Sequence, residues 1–200
     1  MNMARSDDSA PTVSALIAQA DALARASVLL KRDGEKFAAW WGGPGVVTAP
    51  DANHRHWLSI DCRFLPEGLG PDSGVLSIYT DEEDGESGFA VHDPQARLPR
   101  ADAPVEGEPL YAHSSRSLPP PDAFDDGDAD DAYLVHWQAH CPMYADDIVA
   151  VLGGWHFPWP DGDWEQNRER ALLAWTLDES EPWVEVWGGG AAFQVMQRVT

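Results

Sequence analysis

The chain carries an internal echo. Gly42-Gly43 is followed by a proline-rich stretch, the run Leu58-Ser59-Ile60-Asp61, a turn, and then Gly74-Val75-Leu76-Ser77-Ile78-Tyr79. Near the C-terminus the same order returns. Gly153-Gly154 leads through a Pro/Trp-rich stretch to Ala174-Trp175-Thr176-Leu177-Asp178, a turn, and Gly190-Ala191-Ala192-Phe193-Gln194-Val195. Each copy reads double glycine, loop, apolar strand ending in Asp, turn, glycine, apolar strand. A repeat on this scale constrains architecture before any site. It points to a duplicated β-unit, two related halves, which in this chain follow one N-terminal helix. It points to no reaction.

That helix is read over residues 11 to 32. Val13, Leu16, Ile17, Ala20, Leu23 and Ala24 recur at three and four. Ser9 or Pro11 opens it, Lys31 and Arg32 suit the negative end of its dipole, and Gly34 closes it. Beyond residue 36, short apolar runs broken by Gly, Pro and Asp predict strands. They are placed near 56–61, 74–80, 88–92, 132–138, 171–177, 183–187 and 190–198, with 145–152 either strand or short helix. The first β half spans about 36–92 and the second about 132–198. Between them, 93–131 carries a run of prolines and the acidic stretch Asp122 to Asp131, and reads as a long connection. Leu110-Tyr111-Ala112-His113 is a candidate strand within it.

In 200 residues, 34 acids face 13 lysines and arginines, a formal net charge of −21. Such a chain is disfavoured on nucleic-acid backbones and anionic membranes, where affinity comes from Lys and Arg. A basic protein partner is favoured instead. The plainer consequence of the charge is solubility. Two cysteines, Cys62 and Cys141, do not make a disulfide framework and read as free thiols. The N-terminus shows no signal-peptide pattern, and no apolar run reaches membrane-spanning length, so a cytoplasmic protein is expected.

The candidate sites divide by chemistry. The acidic run 122–131 fails as an EF-hand loop, because Phe124 and Tyr133 stand where oxygen ligands are required. His54-Arg55-His56 and His136-Trp137-Gln138-Ala139-His140 have spacings that place two rings on one face. Neither has the further ligands of a structural or catalytic zinc centre, so no metal and no cofactor are expected. His140-Cys141 is a poor thiol pair, since strand neighbours point to opposite sides and no cation lowers the thiol pKa. No Gly-x-Ser-x-Gly elbow, Walker loop or dinucleotide fingerprint is present, and no catalytic residue is assigned. The ten tryptophans stand out more. Trp155, His156, Trp159, Asp161, Asp163 and Trp164 form one aromatic and acidic loop, and Asp178 and Trp187 follow. Such rings bind sugars, cations and proteins, or else fill a small β core.

The C-terminal third resembles the YwqG-like family of bacterial proteins (DUF1963). The resemblance rests on Gly153-Gly154-Trp155-His156-Phe157-Pro158, on Leu172 to Asp178, and on Trp187-Gly188-Gly189-Gly190-Ala191-Ala192-Phe193. Upstream, Leu58-Ser59-Ile60-Asp61, Leu65-Pro66 and the run Pro71 to Tyr79 are similar to its first half. One position departs: Gly189 stands where the family carries Asp. The resemblance implies an α+β fold rich in antiparallel strands with related halves, and no established activity. The sequence therefore leaves three readings. The favoured one is a non-catalytic binding protein with a basic protein partner, immunity- or antitoxin-like. The second is a carbohydrate or small-molecule binding or hydrolysing β-protein using the loop 155–164. In the third, the repeated motifs only build the fold.

Overall fold

The computed structural model describes residues 12–48, 53–81, 88–121, 124, 130–140, 147–155, 170–176 and 195–197. Helix α1 (Val13–Leu23) starts where the Thr12 hydroxyl accepts the amide of Ala15, a regular N-cap. It buries Leu16 and Ala20. At Ala24 the backbone turns to an extended conformation, and residues Arg25–Lys31 form strand β1.

The expected helix to residue 32 is thus corrected: its second half is a strand. A short apolar run such as Ser27 to Leu30 is compatible with either state by periodicity alone. Tertiary context decides, because β1 is hydrogen-bonded along both edges. Lys31 and Arg32 consequently sit at a strand end, and Gly34 serves the turn into the next strand.

The remaining strands are β2 (Phe37–Trp41), β3 (His54–Asp61), β4 (Val75–Asp81), β5 (Gly88–Asp93), β6 (Glu108–Ser117), β7 (Ile148–Gly153), β8 (Arg170–Thr176) and β9 (Val195–Gln197). A single 3₁₀ turn, Cys62–Phe64, follows β3. Helix α2 covers Asp130–His140. Among the described residues nine strands join one sheet in the order β5-β4-β3-β2-β6-β1-β7-β8-β9, and every pairing is antiparallel. The mainly antiparallel α+β expectation therefore holds. Two meanders, β2-β3-β4 and β7-β8-β9, flank a central β6–β1 pair.

Two further expectations change. Residues 132–138 are helical rather than extended. Tyr133 and Trp137, four apart, are buried together with Ala20, Leu118, Ile148 and Val151, which docks α2 beside α1. The stretch 93–131 is more than a connection, because it contains β6, a ten-residue strand at the centre of the sheet. Of the segment 145–152, the described residues from Ile148 onward belong to strand β7 (Ile148–Gly153). The expected strand 183–187 lies outside the described residues, as does most of 190–198.

Beside a smaller cluster of Cys62, Leu69 and Leu76, two larger apolar clusters hold the sheet. One joins Leu30, Ala39, Trp41, Leu58, Ile60, Ile78, Leu110 and Leu152, from six strands. The other lies under the helices. On β3 and β4 the alternation is clear. Leu58, Ile60 and Ile78 enter the first cluster, while the paired residues Ser59↔Ser77 and His56↔Tyr79 share the opposite face. A register shift between His56 and Leu58 sets this phase.

Leu30 is fully buried at the middle of the sheet. Replacing it with alanine is expected to cost about 2–5 kcal/mol in urea denaturation, the range of a core cavity. A loss below ~1 kcal/mol, typical of surface substitutions, would contradict the central placement of β1.

Candidate functional site

Polar chemistry concentrates at the two double glycines. Gly42 and Gly43 have φ of 65° and 65°, and Gly153 and Gly154 have 67° and 91°. These left-handed steps favour glycine, and they redirect the chain as it leaves β2 and β7.

At the first corner, residues 42–47 form a strap across β3 and β4. His56 Nδ1 lies 3.1 Å from the Gly42 carbonyl and 3.2 Å from that of Gly43. A carbonyl only accepts, so Nδ1 carries the proton and Nε2 is the acceptor. Ser59 Oγ, 2.7 Å away, donates to Nε2, and Ser77 Oγ, 2.6 Å from Ser59 Oγ, donates to Ser59. At the strap's far end Ser77 Oγ accepts the Val47 amide at 3.4 Å, and the Tyr79 hydroxyl donates to the Val47 carbonyl. The His56 and Tyr79 rings meet edge to face, with centroids 5.4 Å apart. A β-carbon on Gly45 would fall 1.9 Å from the Tyr79 hydroxyl oxygen, so the strap closes only over glycine.

A serine hydroxyl on a histidine nitrogen is also the arrangement of a nucleophile and its base. Here Ser59 is fully buried within the strand and engaged by Ser77. The network fits a clamp that fastens the strap rather than a reacting site. Burial lowers the His56 pKa, although the carbonyl hydrogen bonds pull the other way. The sequence signal for this clamp is the placement of His56, Ser59, Ser77 and Tyr79 within two otherwise apolar strands, and it is visible only once their register is known.

Asp61, the Asp of the first echo, closes its strand. Its carboxylate accepts the Arg63 amide at 3.1 Å and pairs with the Arg63 guanidinium at 2.6 Å. Burial would raise its pKa, but the Arg63 hydrogen bonds and charge outweigh burial and hold it below the ordinary value. Neighbouring Cys62 is a free, buried thiol, pushed up to about 11 by burial and then by the Asp61 charge. It is an inert neutral thiol at physiological pH.

At the second corner stands Trp155. Its amide donates to Ser117 Oγ at 3.1 Å and its indole N–H to the Leu23 carbonyl at 3.0 Å. The Arg25 guanidinium lies 3.6 Å from the ring centroid, a cation–π contact. Trp155 thereby ties the ends of α1, β1, β6 and β7 together, with one ring face already covered. Beside it Arg25, Ala26, Leu69 and Gly154 line a cleft of about 330 Å³. The other residues expected at this site, His156, Trp159, Asp161, Asp163, Trp164, Asp178 and Trp187, lie outside the described residues.

Of the histidine pairs, His56 is engaged by the strap and by Ser59. His136 and His140 meet on α2, with ring centroids 4.4 Å apart. No group of three or more metal-ligating side chains occurs among the described residues. No protein-family model matches this chain, and no curated protein matches it significantly.

The depressed His56 pKa fixes a pH dependence. The unfolded chain takes up the proton near 6.5 and the folded chain at lower pH, so the clamp's contribution is complete above 6.5 and declines as pH falls below it. Urea midpoints should drop on acidification from neutrality, and His56→Gln should flatten that part of the profile. An unchanged profile in His56→Gln would refute the clamp.

Proposed function

We propose that this chain is a non-catalytic binding protein that receives a basic protein partner on its acidic surface. The observation supporting this is how its cations are used. Lys31, Arg32, Arg63, Arg100 and Arg116 pair with Asp147, Glu108, Asp61, Asp102 and Asp21 at 2.6 to 3.0 Å. Five of the 13 lysines and arginines are thus held in ion pairs, and the chain carries a formal surplus of 21 negative charges. Exposed pairs of this kind add little stability, but the surplus speeds encounter with a cationic surface and repels phosphate backbones. Within this class, an immunity- or antitoxin-like role against a cationic nuclease-like toxin fits the charge best. Action in the cytoplasm is part of the proposal. No helix among the described residues is long and apolar enough to cross a membrane.

The same proposal takes the halves as related and the chain as YwqG-like. Support comes from the pairing order, which apart from the edge strand β5 is unchanged when β1–β4 are exchanged with β6–β9. Each double glycine also follows the first strand of an antiparallel meander. The sugar-platform reading is weakened at Trp155, because Arg25 covers one ring face and the indole N–H is bonded to Leu23.

The test is a pull-down with tagged chain from its native cell. It is run at about 0.01 M salt, where screening extends ~30 Å, and at about 1 M, where it shrinks to ~3 Å. A basic protein captured at low salt and released at high salt is expected. Neutralising Asp125, Asp126 and Asp128 to asparagine should weaken its binding. A partner retained equally at both salts, or an acidic one, would contradict the electrostatic reading.

A further inference from the structure

We infer that the C-terminal turn of α2 carries a two-histidine chelate for a borderline transition-metal ion, formed by His136 and His140. The residues lie four apart, so both project from one face of the helix. Their ring centroids are 4.4 Å apart, with planes tilted by 37°. His140 Nδ1 lies 2.8 Å from the His136 carbonyl oxygen. The carbonyl only accepts, so Nδ1 holds the proton and Nε2 presents a lone pair. This is the backbone hydrogen bond that fixes tautomer and ring orientation in metal-ligating histidines. A metal with bonds of about 2.0–2.1 Å to nitrogen needs its two donors roughly 3 Å apart. With the His140 ring held by that hydrogen bond, rotation of the half-buried His136 ring, 4.4 Å away, brings the two donors to that separation.

Charge adds to geometry. His140 closes the helix, where the aligned carbonyls favour a cation. The net charge of −21 raises the local concentration of divalent ions. Two imidazoles and open positions suit copper, nickel or zinc, and on such ligands Cu²⁺ binds tighter than Ni²⁺ or Zn²⁺. This is neither a closed structural zinc site nor a three-ligand catalytic one. It is an exposed docking point for an ion that leaves coordination positions for a second molecule.

The experiment titrates untagged full-length chain with Cu²⁺, Ni²⁺ and Zn²⁺ by calorimetry and records electron paramagnetic resonance of the Cu²⁺ complex. The wild type should bind one high-affinity Cu²⁺ with nitrogen superhyperfine structure. His136→Gln and His140→Gln should each weaken binding by more than the roughly 10- to 100-fold that loss of an outer partner alone costs. Both side chains lie outside the buried core, and circular dichroism verifies that the variants fold. Unchanged Cu²⁺ affinity in the double variant, or oxygen-only ligation in the spectrum, would overturn the assignment and leave only diffuse binding to surface acids.

Discussion

The pairing of β1 with β6 is the constraint on which the rest of the structure depends. Seven residue pairs, from Arg25↔Ser117 to Lys31↔Tyr111, join segments far apart in the chain. Neither strand could remain in place alone. β1 is held on its other edge by β7, and β6 by β2. Leu30 and Leu110 are both fully excluded from water at this seam. Closing so long a loop before any cross-strand contact forms costs entropy. The two meanders offset it by burying their apolar faces against the seam.

The wings are finished at the glycine corners. A side chain at φ near +65° is strained, and close packing forbids one as well: a β-carbon on Gly43 would lie 2.1 Å from the Glu106 carbonyl oxygen. With the chain turned so sharply, backbone groups at the first corner need partners, and His56, Ser77 and Tyr79 supply them. At the second corner Trp155 performs a related task with a single residue. The most evident polar constellations of the described residues are thus tied to holding the fold. The unbalanced surface acid and the histidine pair of α2 are left as the features not engaged in it.

Much of the sheet was legible because strands such as β3, β4 and β5 are short apolar runs bounded by turn residues. β1 was hidden because Ser27 to Leu30 follows a true helix without any breaking residue, and only its two neighbours decide its state. α2 was hidden for the converse reason. Aromatic and β-branched residues at 133–137 imitate a strand, while the Tyr133–Trp137 spacing that buries one helical face is a weaker sign. In the sequence β6 shows only as the candidate strand Leu110-Tyr111-Ala112-His113 within a connection, because the prolines around it obscure a strand whose partners lie at either side of the chain. The clamp on His56 was invisible since it depends on cross-strand register. Of the aromatic loop, only Trp155 falls among the described residues, and it serves the corner.

Amide hydrogen exchange across β1 and β6 tests the central claim most directly. The seam predicts that amides of 25–31 and 108–117 exchange slowest and together, with protection approaching the global unfolding free energy. Fast exchange in either segment, as expected for a helix end or a connecting loop, would contradict it.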